Sequence, residues 1–266
     1  MFRFIKYLES IWRHRFVYPV LRFFIRNKQI DKPIDILSIK KIMIIRYDRI
    51  GDMIVTTPIF RNLKNINSNI EIGVLASKKN AEIIKNNPYV DNIYLFNTNL
   101  FLLLKELRRI RKEKYDIVFN FVFTKMTFAG ILVNIIAPNG IKIGQGKDKY
   151  KFFFNRLLSF QRDKMIMSEL LALFVNEAVG VNILPSECNY EIFIDENIRA
   201  NIHKYLAKHK LTTRQTKLPN CLQYIVLNIS ASDKWSKLSD NPLYLFCPGC
   251  IWKLVYRKLL MLLLEV

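Results

Sequence analysis

One stretch of this chain combines two carboxylates and a glycine in a spacing that could support catalysis. The segment Ile44–Leu63 reads IIRYDRIGDMIVTTPIFRNL, an apolar run followed by Asp48, Gly51 and Asp52 and then by a helical pattern. In open α/β sheets, ligands bind at the carboxyl ends of the strands, where such a loop would lie. Glycine allows a ligand or another backbone segment to approach closely. A carboxylate placed at the start of the helix could accept the proton of an attacking hydroxyl group.

The same spacing also has a purely structural interpretation. Asp52 could be an N-cap that accepts hydrogen bonds from the first backbone amides of the helix, and Gly51 could form a tight turn. Aspartates are common at helix starts for this reason alone. Spacing by itself leaves the catalytic and the structural interpretations open.

The surrounding pattern predicts the elements that would position this loop. Short apolar runs alternate with helical stretches, which is typical of βαβ units, a parallel sheet and a Rossmann-like domain in the α/β class. Because the runs are almost continuously apolar, most strands should be covered on both faces. The predicted strands are Lys41–Arg46, Glu71–Ala76, Asn92–Phe96, Asp116–Phe121, Ile141–Gly144, Ile192–Ile194 and Gln223–Asn228. The predicted helices are Asp52–Ile66, Lys78–Asn86, Leu100–Lys112, Met126–Ile136, Met165–Val179 and Asn197–Lys208.

The pattern divides the chain into four parts. A basic amphipathic extension (1–38) precedes the Rossmann-like domain (39–209), and a polar linker (210–222) leads to a second domain (223–266). Only 44 residues remain from Gln223 onward, whereas a domain of this kind needs on the order of 100. The second domain is therefore expected to be incomplete. The sequence after Ser236 resembles a truncation or a switched reading frame.

Charge and composition restrict the classes of function. The chain has 42 Lys and Arg against 22 Asp and Glu, a net charge of +20, which favours an anionic partner: nucleic acid, an acidic membrane surface or a phosphorylated substrate. With 51% hydrophobic residues the chain can bury a core, which excludes a disordered tail. Four cysteines and no recognisable leader indicate a reducing cytoplasm. The pair Cys247 and Cys250 has no second cysteine pair, so no metal site is expected.

The first 28 residues mix aromatic and cationic side chains. No apolar run approaches the roughly 20 residues that a spanning helix needs. Rings at Trp12, Phe16, Phe23 and Phe24 predict an interfacial helix on an anionic bilayer. The alternative is a helix packed on the protein's own core, and Pro19 would kink either helix. The cations of the segment are Arg3, Lys6, Arg13, Arg15, Arg22, Arg26 and Lys28.

Three blocks resemble the bacterial heptosyltransferases of lipopolysaccharide synthesis, family nine of the glycosyltransferases. KIMIIRYDRIGDMIVTTPIFRNLKN (Lys41–Asn65) resembles the family's opening strand, Gly-Asp loop and Thr-Pro helix. NIEIGVLASKKNAEIIKNNPYVDNIYLF (Asn69–Phe96) is similar to its next two strands. IVLNISASDKWS (Ile225–Ser236) resembles, more weakly, the strand and lysine loop that open its donor domain. The resemblance spans about residues 40–236.

The resemblance implies a GT-B fold, in which two Rossmann-like domains face each other across a cleft. It also implies an inverting transfer of heptose, from a nucleotide diphosphate sugar such as ADP-heptose to a sugar hydroxyl of the lipid A–core. By position, Asp52 matches the family's proposed general base. Asp48 and Gly51 then belong to the loop on the acceptor side.

On the donor side, the resemblance matches Lys234 to a lysine that contacts the diphosphate, with Ser230 and Ser232 as neighbouring hydroxyl donors. No metal and no other cofactor is implied, because a lysine and helix-terminal amides can neutralise the leaving nucleotide. The family's later Thr-Gly…His loop is missing after Ser236. This chain by itself is therefore expected to have little or no transferase activity.

The acceptor implied by the resemblance is a lipid, which predicts a cytoplasmic protein, peripheral on the inner membrane and bound there through the basic N-terminal helix. The alternative is a non-catalytic basic α/β protein that binds a membrane surface or nucleic acid. The cations are spread along the chain and no nucleic-acid-binding motif is present, which argues against nucleic acid.

Overall fold

The computed structural model describes residues 12–124, 126–160, 165–208, 243–247 and 250–254. The chain forms two compact units, Met1–Leu218 and Pro219–Val266. The first unit contains a six-stranded sheet whose paired strands are all parallel, in the order β3-β2-β1-β4-β5-β6. Its strands are β1 (Lys41–Arg46), β2 (Glu71–Ser77), β3 (Asn92–Phe96), β4 (Ile117–Asn120), β5 (Ile141–Gln145) and β6 (Arg156–Leu158).

Helices cover the sheet. Local signals fix several of their ends: the Asn99 side chain accepts hydrogen bonds from the amides of Phe101 and Leu102, and Gly180 ends a helix in the left-handed conformation at φ 67°. The described helices are α1 (Tyr18–Phe24), α2 (Ile50–Ile54), α3 (Thr57–Ile66), α4 (Lys78–Ile84), α5 (Leu100–Lys112), α6 (Met126–Ile136), α7 (Met167–Val179) and α8 (Glu196–Lys208). A π-helical turn (Arg13–Val17) precedes α1, and 3-10 turns lie at Ile36–Ser38, Asp148–Phe153 and Pro185–Glu187.

Both faces of the sheet are buried, as the continuous apolar runs predict. In β1, Ile42 and Ile44 face one core with α2, α3, α4 and α7, whereas Met43 and Ile45 face the other with α5 and α6. All four side chains are fully buried. Each such side chain contributes about 1.5–3 kcal/mol through burial, so β1 is firmly anchored in the centre of the sheet.

The predicted strands β1 to β5 are confirmed to within one residue at each end, and α5 and α6 match their predicted bounds. The predicted helix Asp52–Ile66 is wrong in one respect, because it is two helices. Pro58 lies in the first turn of α3 and has no amide hydrogen to continue the ladder. The Thr56 and Thr57 hydroxyls donate to the carbonyls of Asp52 and Ile54 at the junction.

Two further differences concern short extended segments. Ile192–Ile194 does not form a strand: its two isoleucines are exposed, and no strand among the described residues pairs with the segment. Arg156–Leu158 does form one, β6, beside β5. Three residues are too few to produce a sequence signal.

In the second unit, the described residues are β7 (Leu243–Cys247) and β8 (Cys250–Leu254). They pair antiparallel, with Leu243 opposite Leu254 and Cys247 opposite Cys250. The predicted linker at 210–222 and the strand Gln223–Asn228 lie outside the described residues, as does most of the expected donor domain. None of the described helices has the length and apolar character needed to cross a bilayer.

Candidate active site

The loop that follows β1 lies where the strand order of the sheet reverses. β1 pairs with β2 on one side and with β4 on the other, and the chain leaves β1 at Arg46 to enter α2. The helices that follow β2 and β4 pack on opposite faces of the sheet, as described above for α4 and α6. In open α/β sheets, ligands usually bind outside the carboxyl ends of the strands at such a point of divergence.

Asp52 lies inside α2 and not at its N-cap. Arg49 occupies the N-cap position, and Asp52 is the third helical residue. Gly51 is also helical, and its carbonyl accepts the amide of Val55 at 3.1 Å, so it does not form the tight turn. The structural interpretation, with Asp52 as the N-cap and Gly51 in a tight turn, is therefore wrong. The carboxylate stands in the first turn, where the helix dipole favours negative charge, and its side chain is 31% exposed.

Arg46 organises the loop from within. Its side chain is 1% exposed, and its Nε donates to the backbone carbonyl of Asp52 at 2.9 Å. Nη1 donates to the carbonyl of Phe121, at the end of β4, and to Oδ2 of Asp48 at 3.3 Å. Nη2 lies 3.5 Å from Oδ1 of Asp52. One buried guanidinium thus joins two strand ends and both carboxylates, which compensates its own burial.

Asp48 and Asp52 form a carboxylate pair on either side of Arg46. The Asp48 side chain is 18% exposed. Burial raises the pKa of Asp48 to about 6, an effect that the charge of Arg46 opposes and the charge of Asp52 reinforces. Asp48 therefore binds or releases a proton near neutral pH, and its protonation is linked to the charge on Asp52.

Other polar groups at this edge have unused hydrogen-bonding capacity. The buried Asn80 donates to the carbonyl of Arg46 at 3.1 Å, which ties α4 to the end of β1. Asn80 Oδ1, the Tyr47 hydroxyl, Gln145 Oε1 and Asp48 Oδ1 are buried, with no hydrogen-bond partner within the described part of the chain. Buried polar atoms are normally satisfied, so these are positions where a ligand or water would bond.

Tyr47 connects this edge to an aromatic group on one sheet face. Its ring stacks on Phe96 with centroids 4.1 Å apart and meets the ring of Phe128 edge-on at 6.5 Å. Burial raises the pKa of the Tyr47 hydroxyl above its ordinary value, so it remains a protonated donor.

The structure brings together Asp48, Gly51 and Asp52 as predicted, but sequence reasoning missed Arg46, Asn80 and Gln145. A signal existed for Arg46, because a cation ends an otherwise apolar strand. Asn80 and Gln145 carry no comparable signal. The predicted donor residues Lys234, Ser230 and Ser232 lie outside the described residues.

The N-terminal segment packs on the protein's own core, and its predicted contact with a bilayer stays a prediction. Tyr18 is buried, donates or accepts a hydrogen bond with the Thr127 hydroxyl at 2.9 Å, and contacts the rings of Phe152 and Phe153. The opposite side of the N-terminal segment is exposed. The rings there are Trp12, Phe16, Phe23 and Phe24. The segment is thus packed on the protein and still presents an aromatic surface to solvent.

Comparison with known proteins finds a sequence relative and solved structures of similar fold. No family model matches the chain. It is 26% identical over 139 residues to lipopolysaccharide heptosyltransferase 1 of Campylobacter coli, a match that covers 50% of this chain and 40% of that protein. The solved glycosyl transferase family 9 protein from Veillonella parvula DSM 2008 matches with a TM-score of 0.54 and 21% identity, over 67% of this chain and 51% of that one.

The sequence is thus similar to a lipopolysaccharide heptosyltransferase, and the fold matches that of a family 9 glycosyl transferase. E. coli heptosyltransferase WaaC with ADP matches with a TM-score of 0.50 and 15% identity, over 60% of this chain and 53% of that one. At these identities the family 9 structures establish the fold, and they confirm the predicted α/β fold of GT-B type for the described sheet. The chain spans about half the length of these family 9 relatives.

Proposed function

We propose that this chain provides the acceptor-side domain of a family 9 glycosyltransferase. The enzyme would transfer heptose, or a related sugar, from a nucleotide diphosphate sugar such as ADP-heptose to a hydroxyl of the lipopolysaccharide inner core. One observation carries the proposal: at the carboxyl edge of the sheet, in the loop that resembles the Gly-Asp loop of family 9, Asp52 presents a partly exposed carboxylate whose backbone is held by a buried arginine. The similarity to lipopolysaccharide heptosyltransferase 1 supports the substrate class.

In this mechanism Asp52 is the general base. As the acceptor oxygen attacks the anomeric carbon, its proton moves to an Asp52 carboxylate oxygen and a new glycosidic bond forms. The bond between the anomeric carbon and the diphosphate oxygen breaks, and its electron pair leaves with the nucleotide diphosphate. Attack from the face opposite the leaving group inverts the anomeric centre.

Asp52 suits this role better than Asp48. Its carboxylate is the more exposed of the two, at 31% against 18%. Asp48 lies against Arg46 in a setting that raises its pKa to about 6, so it is less completely ionised at neutral pH. Asp48 then serves to hold the guanidinium that positions Asp52.

The leaving nucleotide requires positive charge or hydrogen-bond donors. In this proposal Lys234 contacts the diphosphate and the hydroxyls of Ser230 and Ser232 donate to its oxygens, so that no metal is needed. This part rests on the sequence resemblance alone.

The proposed acceptor is a lipid, which makes a membrane-peripheral protein on the cytoplasmic face the matching arrangement. The exposed rings of the N-terminal segment and its arginines support contact with an anionic bilayer. The net charge of +20 acts in the same direction.

The test measures nucleotide release from ADP-heptose with a heptose-free lipopolysaccharide acceptor. The chain is assayed alone and joined to the donor half of a family 9 relative, because little activity is expected from the chain alone. Asp52→Asn should lower transfer by about 100- to 10,000-fold, the usual contribution of a general base.

The matched control is Asp31→Asn, since Asp31 is exposed and lies in the segment before β1. It should leave transfer unchanged. Full transfer by the Asp52→Asn variant would refute the role of Asp52. Failure of the joined protein to transfer sugar at all would refute the proposed function.

A further inference from the structure

The first turn of α5 presents large apolar side chains to solvent. Leu100 is 67% exposed and Phe101 is 75% exposed, whereas Leu103 and Leu107 on the other side of the helix are buried against the sheet. A soluble helix normally exposes polar residues on its outer face. Two adjacent, largely exposed apolar residues therefore indicate a binding surface.

This tip of α5, Leu100 and Phe101, lies at the same edge of the sheet as Asp52. α5 follows β3 and α6 follows β4, so both helices begin at the carboxyl edge, and they pack together on one sheet face. Phe128, in the first turn of α6, is partly exposed and contacts Phe96 at 6.0 Å and Tyr47 at 6.5 Å. A group of rings thus extends from the start of α6 to the loop that carries the carboxylates.

The N-terminal segment adds a second apolar surface on this side. Tyr18 bonds Thr127 at the start of α6, and Asn27 Nδ2 donates to Asn134 Oδ1 near its end at 2.9 Å. α1 therefore runs in the same direction as α6, and the segment before it, with the exposed ring of Phe16, begins at the carboxyl edge. Exposed apolar side chains therefore lie at the start of α5, at the start of α6 and in the turn that precedes α1.

The charges around these surfaces identify the partner. Arg15, Lys105 and Arg108 are exposed, and residues 12–28 contain no Asp or Glu. The acid in α5, Glu106, lies 3.6 Å from Arg109. Apolar rings interleaved with unopposed cations match an anionic bilayer, whose headgroup level accommodates both. A protein partner would need a surface that is both apolar and strongly acidic.

We propose that the tip of α5 is a second point of contact with an anionic bilayer, besides the N-terminal segment. Two contacts fix the orientation of the domain, whereas one helix would leave it free to rotate. The carboxyl edge then faces the membrane, and Asp52 faces the layer in which a lipid-linked acceptor lies. The functional value of this orientation rests on the proposed function, but the contact itself does not.

The experiment is flotation of the full chain with vesicles of 30% phosphatidylglycerol and 70% phosphatidylcholine. The double variant Leu100→Ser with Phe101→Ser should bind about tenfold more weakly, because two large apolar side chains no longer enter the bilayer. The matched control is Leu37→Ser. Leu37 is 69% exposed but lies in the 3-10 turn before β1, at the opposite edge of the sheet. Its substitution should change binding by less than about twofold.

A second measurement reports contact without weakening it. Phe101→Trp is introduced on a background in which Trp12, Trp235 and Trp252 are changed to Phe. Anionic vesicles with brominated acyl chains should quench the fluorescence of Trp introduced at position 101. Brominated vesicles of phosphatidylcholine alone should not.

Equal binding by the double variant and the wild type, or no quenching at position 101, would overturn the proposal. So would equal flotation of the wild type with neutral vesicles. Sugar transfer to a soluble acceptor fragment should be insensitive to the double variant. Failure of the joined protein to transfer sugar, alongside intact tip-dependent flotation, would refute the proposed function and leave this contact standing.

Discussion

Replacement of Arg46 by methionine is the most informative single test of the site. The variant Arg46→Met keeps much of the apolar length of the side chain and removes the guanidinium. It deprives the carbonyls of Asp52 and Phe121 of a donor and leaves Asp48 without its cation. Removing one partner of a buried ion pair costs about 3–5 kcal/mol. For a domain of this size, that loss corresponds to a melting temperature lower by about 6–20 °C.

The cost should depend on pH, and its sign follows from Asp48. Its pKa is raised in the folded state from the ordinary value of 3.8 to about 6, so folding favours its protonated form. The stability that this group contributes is fully present below about pH 4 and is lost as the pH rises through 6. The charge of Arg46 lowers the pKa of Asp48. Removing Arg46 therefore raises this pKa further and makes the loss of stability larger.

The assay is urea unfolding at pH 5 and pH 7. At pH 5 Asp48 is mostly neutral in the wild type, so Arg46→Met should cost the lost carbonyl hydrogen bonds and the contact with the partly exposed Asp52, together about 1–3 kcal/mol. At pH 7 the full 3–5 kcal/mol is expected. The control is Arg199→Met, whose exposed partner Glu196 lies one helical turn away, and which should cost less than about 1 kcal/mol at either pH. An equal loss at both pH values, or less than 1 kcal/mol at pH 7, would refute the reasoning.

Three further outcomes are expected. Asp48→Asn removes the titrating group, so the free energy of unfolding, measured in urea, should change less between pH 5 and pH 7 than in the wild type. An unchanged difference between the two pH values would assign the pH dependence to another group. Gly73→Ala places a methyl group against the Tyr115 hydroxyl, which must move, and thermal unfolding should show a loss of about 1–3 kcal/mol, whereas wild-type stability would contradict the packing. Phe174→Ala empties a fully buried position and should lower the unfolding free energy by about 3–5 kcal/mol in urea; a loss below 1 kcal/mol would mean that the core is not closed there.

The sequence was sufficient where structure is decided locally. The bounds of β1 are predicted correctly, because a short run of six residues with no small or turn-forming residue is typical of a buried strand. The bounds of α5 are predicted correctly because Asn99 starts the helix and a helical pattern of apolar residues sustains it. The positions of Asp48, Gly51 and Asp52 at the strand end follow from the same local pattern.

What could not be predicted depends on distant parts of the chain. Arg46 bonds Phe121, which is 75 residues away, and this pairing exists only once β4 lies beside β1. The raised pKa of Asp48 results from burial, which no spacing reveals. The contact of Tyr18 with Thr127 joins residues 109 apart. The sequence therefore located the candidate base and left open what holds it.

The backbone carbonyl of Asp52 accepts two hydrogen bonds, from Arg46 Nε at 2.9 Å and from the Thr56 hydroxyl at 2.7 Å. Fixing the backbone of one residue costs about 1–2 kcal/mol of conformational entropy. Because folding has already met this cost, binding at this loop needs to restrict only the side-chain rotamers of Asp52. The proposed base is in this sense preorganised: its main chain is held by two hydrogen bonds, and only its two side-chain torsions remain to be set.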